Sequence, residues 1–259
     1  MPEPSAVSEA KTNPARGRRD TLSYLRSILI TNNLIYLYTA IMGTLSLTGS
    51  LFDARGKWQH WCARTWSRLI LATSRIRVAV DGLEHAGSGR PSILCVNHQS
   101  SMDIPVLLAH LPFQFRFVAK RSLFNYPFMG WHMRRSGYIA VGRDRPGQAR
   151  KSVDEAASKI REGYPVVIFP EGGRSRDGDF LPFKSGAFHL AILSGVPVTP
   201  VTLNGTMAAL RPDSVHIRPG KVELIIHPPI PTTGLNRDDA TALSERVRLQ
   251  MLSRFRKIG

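Results

Sequence analysis

Apolar residues divide this chain into one long uncharged stretch followed by a series of shorter patterned segments. Ser27 to Phe52 runs 26 residues without a charge, longer than the roughly 20 apolar residues that cross a hydrocarbon core. Lys57 to Thr73 carries Trp58, Trp61, Trp66, Leu69 and Ile70 and reads as a helix. Ile76, Val78 and Val80 alternate as a strand that Asp81-Gly82 ends. Behind Pro91, the run Ser92 to Val96 reads as a short buried strand, and Ile104 to Leu108 as the first turn of a helix. Phe115 to Ala119 and Tyr138 to Val141 are further strands. Between them lies an aromatic-rich, helical or looped stretch around Pro127, with Phe124, Tyr126, Phe128, Met129 and Trp131. That stretch suits core packing or an apolar wall for a bound hydrocarbon chain.

Ala149 to Glu162 places Val153, Ala156, Ala157 and Ile160 on one helical face. The apolar run from Pro165 to Ile168 is a strand. Lys184 to Ser194 is a helix closed by Gly195. Pro197 to Leu203 and Lys221 to His227 are strands, and Asp238 to Lys257 is a closing helix with Leu243, Val247, Met251 and Leu252 inward. Strands alternating with helices predict an α/β fold: a central, largely parallel or mixed sheet flanked by helices, with an N-terminal membrane-associated helical segment. No internal repeat is visible.

Charge changes the picture next. Thirty-five Lys and Arg against 19 Asp and Glu leave a net charge of +16 and a pI near 10.7. Such a balance calls for a polyanionic partner, and nucleic acid and anionic membrane both qualify. The basic residues are spread along the chain and none of the common nucleic-acid signatures is present, so no nucleic acid is expected. The uncharged stretch points to lipid. It has three readings: a spanning or embedded helix, a pair of interfacial helices broken near Gly43, or a buried core helix. If it spans, Arg16, Arg18 and Arg19 before it predict a cytoplasmic N-terminus. The chain thus divides into a disordered basic tail (1–20), membrane-associated helices (21–73) and an α/β domain (74–259). Cys62 and Cys95 are far apart, and Cys95 lies in an apolar strand, which favours a buried thiol over a disulfide. The eight histidines are scattered, without CxxC or HExxH, so no metal site is expected.

The candidate chemistry sits where two strands end. Asn97-His98-Gln99-Ser100-Ser101-Met102-Asp103 follows the Ser92 to Val96 strand. Five residues is a poor spacing along one helix, where facing residues are three or four apart. Across a strand-to-helix turn it lets two side chains meet. A carboxylate against one ring nitrogen of His98 fixes its tautomer and leaves the other nitrogen to take a proton. The competing reading makes Asp103 a helix cap, with Pro105 in the first turn and His98 a loop residue. Ser100 and Ser101 have a cap reading too, which ranks above a nucleophile reading. The second stretch, Phe169-Pro170-Glu171-Gly172-Gly173-Arg174-Ser175-Arg176-Asp177-Gly178, also follows an apolar strand, and strand C-termini are where open α/β sheets bind ligands.

Together these stretches resemble the glycerolipid acyltransferase family, whose best-known members make phosphatidic acid from lysophosphatidic acid. Its NHxxxxD motif is matched by Asn97-His98 to Asp103, and its FPEGTRS-like motif by Phe169 to Ser175, with Gly173 in place of the usual threonine. Lys120 to Arg143, with Gly130, Gly137 and Arg143 in pattern, resembles the block between those motifs, and Val196 to Val201 the final proline-containing strand. The likeness covers roughly residues 75–230. It implies acyl transfer from a thioester, acyl-CoA or acyl-carrier protein, to a hydroxyl, without a cofactor. His98 is then the base and Asp103 its orienting group. The acceptor the likeness implies is the free hydroxyl of a lysophospholipid, lysophosphatidic acid, with a lyso-aminolipid as the alternative within the class and a non-enzymatic basic binding protein outside it. Arg174 is the first choice for a headgroup phosphate, then Lys120 and Arg143. Glu171 would orient a substrate hydroxyl or hold Arg174, and the N–H groups around Gly172 and Gly173 would form an anion nest. The implied location is the inner (cytoplasmic) membrane, with the site facing the cytoplasm.

Overall fold

The structure is a computed structural model that describes residues 14–142 and 148–258. Among these residues seven strands form one sheet: β1 (Ile76–Asp81), β2 (Ile93–Val96), β3 (Arg116–Lys120), β4 (Ile139–Val141), β5 (Val166–Ile168), β6 (Val198–Asn204) and β7 (Gly220–Ile226), in the spatial order β1-β7-β6-β2-β5-β3-β4. Every pairing is parallel except β6 with β7. The sheet is therefore the mixed, largely parallel one expected.

β2 is buried along its whole length, which is why it reads as a continuous apolar run and not an alternating one. Its side chains still alternate between faces. Leu94 and Val96 join the layer under the helices α3 (Lys57–Thr73) and α4 (Asp103–His110), with Ile70, Val106, Leu107 and Phe115. Ile93 and Cys95 join the opposite layer, under α6 (Gln148–Arg161), α7 (Gly186–Ser194) and α9 (Ala240–Leu252), with Ile160, Phe188, Leu243 and Met251. Both cysteines are free and buried.

The N-terminal region departs from expectation in two ways. Helix α1 (Pro14–Arg26) begins inside the stretch read as a disordered tail. Its arginines are good helix formers continuous with the apolar segment behind them; residues 1–13 lie outside the described residues. Secondly, Gly43 breaks nothing. A π turn (Ser27–Thr31) joins α1 to α2 (Asn32–Gly49), and residues Asp20–Gly49 form a helix long and apolar enough, by length and composition, to cross a membrane. Little of it is buried, so the core-helix reading is out. Its inner side is pinned to α3 by Trp58 Nε1 to the Leu45 carbonyl (2.8 Å) and Trp66 Nε1 to Thr39 Oγ1 (3.0 Å). Ser46 Oγ meets His132 Nδ1 at 2.6 Å on α5 (Met129–Arg135). Burial pushes that imidazole down to about 4, so it is neutral in this bond.

The aromatic stretch is only partly core. Phe124 is buried, whereas Tyr126, Phe128, Met129 and Trp131 are exposed. Gly130 is required there, since a Cβ would sit 2.1 Å from the Phe124 carbonyl oxygen. The closing helix stops at Leu252, short of Lys257. The basic residues beyond it leave the helical path to bond across the sheet ends: Arg254 to Asp81 (2.8 Å), the Arg256 N–H to Asn204 (2.9 Å) and Lys257 to Asp179 (2.9 Å).

Candidate active site

Parallel pairing sets Cys95 against Ile168. His98 and Glu171 each lie three residues further on, so the register brings both motifs level at the C-terminal ends of the two central strands. His98 Nδ1 lies 2.7 Å from Asp103 Oδ2. The same oxygen accepts the N–H groups of Gln99 (2.9 Å) and Ser100 (3.0 Å). Asp103 is fully buried and is the first residue of α4, but its side chain reaches back into the turn and caps nothing ahead of it. The capping reading of Asp103 is thereby replaced. The carboxylate organises the turn that carries His98. With Nδ1 committed, Nε2 is the ring nitrogen able to take a proton.

Surrounding bonds hold this turn still. Asn97, fully buried, uses its side-chain amide like a backbone unit: Oδ1 accepts from Leu203 N (2.7 Å) and Nδ2 donates to the Leu203 carbonyl (2.9 Å) on β6. Gln99 Nε2 donates to the Gly178 carbonyl (2.8 Å) and the Ser175 N–H to the His98 carbonyl (2.9 Å). Phe169 stacks on the imidazole, with centroids 4.1 Å apart and planes 22° from parallel. Asn97 and Phe169 belonged to the motifs, but their tasks depend on strand pairing and had no local signal.

Of the two tasks expected of Glu171, holding Arg174 is not the one seen: it does not meet Arg174, and it is buried. Oε1 accepts the His98 N–H (2.9 Å) and Oε2 the Leu181 N–H (3.0 Å). One carboxylate thus bolts the two motifs together. Burial pushes its pKa up to about 7, against the pull of those two N–H groups.

Arg174 stands at the mouth beside them. Nη1 donates to Ser101 Oγ (2.8 Å), and Nη2 is 3.9 Å from Asp213 Oδ1. Gly172 takes a left-handed turn (φ 70°), and its N–H already donates to the Phe169 carbonyl (3.0 Å), which removes it from the expected anion nest. Gly173 is exposed, and no atom lies within 4 Å of where its Cβ would be, so the usual threonine would point into open space. Lys120 is exposed at the end of β3, two strands from β2 and so about 10 Å across the sheet. Arg143 lies outside the described residues. Ser100 Oγ donates to the Leu210 carbonyl (2.6 Å), so its hydroxyl proton is spent on the fold. Among the described residues no group of three or more His, Cys, Asp or Glu is placed to hold a metal ion.

Comparison with known proteins agrees with this geometry. A protein-family model described as Acyltransferase matches residues 77–204. The 1-acyl-sn-glycerol-3-phosphate acyltransferase alpha of Bos taurus is 36% identical over 71% of this chain, and this chain spans 64% of that protein's length. The 1-acyl-sn-glycerol-3-phosphate acyltransferase of Saccharomyces cerevisiae is 31% identical, over 92% of this chain and 79% of its own. Among solved structures, the 1-acyl-sn-glycerophosphate (LPA) acyltransferase PlsC from Thermotoga maritima superposes with a TM-score of 0.70 at 28% identity, covering 93% of this chain and 100% of that one.

Proposed function

We propose, since this chain belongs to the 1-acyl-sn-glycerol-3-phosphate acyltransferase family, that it moves a fatty acyl group from an acyl thioester to the free hydroxyl of lysophosphatidic acid, giving phosphatidic acid. The observation that carries this reading is the 2.7 Å bond between His98 and a fully buried Asp103 at the end of a central strand. His98 Nε2 takes the acceptor hydroxyl proton as that oxygen attacks the thioester carbonyl. The tetrahedral intermediate collapses, the C–S bond breaks, and the thiolate leaves with the proton. Asp103 stabilises the imidazolium formed in between. The acceptor's hydroxyl stands where a serine protease has its own serine, so no acyl-enzyme is required. Donor types consistent with this are acyl-CoA and acyl-carrier protein. The test is a panel of lysolipids offered with both donors and read by product mass. Diacylated product from lyso-aminolipids but none from lysophosphatidic acid would move the chain to a different acceptor.

Arg174 is the headgroup contact in this reading. It is exposed, fixed by Ser101 and close to the motif that carries the base. Because water screens a site this open, the contact belongs at the low end for a charge-assisted bond, about 1.5 kcal/mol. Arg174→Ala should therefore raise the KM for lysophosphatidic acid about tenfold and leave the donor KM nearly as it was. Equal shifts in both constants would assign Arg174 to the fold.

The N-terminal helix places the enzyme on its lipid. Leu29, Tyr36, Leu37 and Ile41 are exposed along it, and the exposed Leu51, Phe52, Trp58, Trp61 and Trp131 continue that apolar surface at its C-terminal end. Tryptophans at such a rim suit a membrane interface. The membrane in this reading is the inner (cytoplasmic) one, with the site on the cytoplasmic side. A Leu37→Lys, Ile41→Lys double variant should release the folded protein from anionic vesicles, since each lysine at membrane depth costs about 2.5–3.5 kcal/mol. Undiminished co-sedimentation would contradict the anchoring role.

A further inference from the structure

The segment from Leu210 to Arg218, between β6 and β7, takes no part in the chemistry above, yet it is clamped from both sides. On the catalytic side, Ser100 Oγ holds its Leu210 carbonyl and Arg174 faces its Asp213. On the other side, five bonds fasten it to the N-terminal helix, the first between His216 Nε2 and Ser23 Oγ (3.1 Å). Ser27 Oγ (2.9 Å) and Asn32 Nδ2 (3.0 Å) both donate to the Val215 carbonyl. The Ile217 N–H donates to Ser27 Oγ (2.8 Å), and Arg26 Nη2 to the Ile217 carbonyl (3.3 Å). All of these partners but Ser23 cluster on the π turn and its two flanking residues. Such turns often mark functional positions, because the extra residue re-aims the side chains around it.

This double clamp stations Asp213 at the site mouth. Its backbone is left-handed (φ 62°), a conformation aspartate accepts more readily than most residues but one that still costs free energy. Its carboxylate is exposed, and at 3.9 Å its pairing with a partly exposed guanidinium is too weak to be a stability device. Nor does Arg174 need it for position, because Ser101 supplies that at 2.8 Å. What a fixed negative charge does at this place is act on the charge of whatever Arg174 binds.

We propose that Asp213 is a specificity-determining residue: a stationary countercharge that Arg174 exchanges for the acceptor's phosphate, and that penalises headgroups in proportion to their negative charge. The inference rests on the reading of Arg174 as the headgroup contact. A phosphate monoester still binds, but its affinity is capped. That cap speeds release of the product, which carries the same headgroup as the acceptor. A headgroup with an ammonium beside its phosphate gains a partner in Asp213 instead.

The experiment uses the full chain in mixed micelles and compares kcat/KM on lysophosphatidic acid, lysophosphatidylethanolamine and monoacylglycerol. Asp213→Asn should raise kcat/KM on lysophosphatidic acid about threefold to tenfold at low salt, through KM, as expected for one charge a few ångströms from a dianion in water. The gain should shrink as salt shortens the screening length and should be smallest for monoacylglycerol. It should turn into a loss for lysophosphatidylethanolamine. Asp213→Gly, which keeps the left-handed backbone, should reproduce the pattern and so separate charge from loop distortion. A wild-type enzyme active on lysophosphatidic acid whose KM neither variant lowers overturns this inference alone. So does a gain confined to the glycine variant. A wild-type enzyme inert toward lysophosphatidic acid overturns the functional reading, and this inference with it.

Discussion

His98→Ala is expected to lose about two to four decades of kcat, the usual cost of removing a positioned base, while the protein stays folded and still binds both substrates. The fold supports that separation. His98 is half-buried, and among the described residues its ring hydrogen-bonds only to Asp103, so truncating it leaves the backbone bonds of the turn in place. Asp103→Asn should also abolish most turnover. An asparagine oxygen can still accept the Gln99 and Ser100 N–H groups that Asp103 Oδ2 serves, so the turn survives. The charge that stabilises an imidazolium does not survive. If the amide turns the other way, it donates to Nδ1 and fixes the wrong tautomer. The double variant should be little worse than His98→Ala, because the carboxylate works only through the ring. Single-turnover kinetics on the three folded proteins decides the matter. Near-normal turnover in His98→Ala removes the mechanism; near-normal turnover in Asp103→Asn alone reduces Asp103 to a turn former.

How far these features were legible follows from the range of the interactions behind them. The strands announced themselves as short apolar runs or, in β1, as alternation, and the His98–Asp103 pair was readable because both partners lie within one turn. The task of Glu171 was not. Its bond to the His98 N–H crosses 73 residues and exists because β2 pairs with β5, a pairing no local pattern encodes. Asn97 was silent for the same reason, its partner being Leu203. Asp213 sits in Arg211-Pro212-Asp213-Ser214, which reads as an ordinary turn until Arg174 and the N-terminal helix are placed around it. The unbroken helix through Gly43 shows a different limit. One glycine costs a helix only about 1 kcal/mol, and packing on α3 and α5 outweighs it. The exposed Tyr126, Phe128, Met129 and Trp131 show the reverse: large apolar residues look like core in a sequence, and only the fold reveals which of them face outward.

Glu171 yields the second large effect, and it separates a bolt from a substrate contact. Glu171→Ala leaves the His98 and Leu181 N–H groups without their acceptor. At about 1–3 kcal/mol for each stranded donor, both of them part-buried, the loss is at most about 2–6 kcal/mol of stability, together with turnover, because the lost bond lets His98 move. Glu171→Gln should fall between. It keeps one acceptor oxygen and turns an amide donor toward the other N–H. A residue that merely oriented the acceptor hydroxyl would instead raise the acceptor KM with an unchanged unfolding midpoint. Linkage adds a signature. The folded carboxyl holds its proton up to about pH 7 against an ordinary value of 4.5, so between those values the unfolded state binds fewer protons. Stability contributed by this group therefore falls as pH rises through that window, by up to about 3 kcal/mol. Glutamine cannot titrate, so Glu171→Gln should remove this component of the slope, and its deficit against the wild type should narrow from pH 5 to pH 8. Urea titrations of both proteins across that range test the claim. Parallel curves, or a wild-type midpoint in Glu171→Ala, would show that the two motifs are held together by something other than this carboxylate.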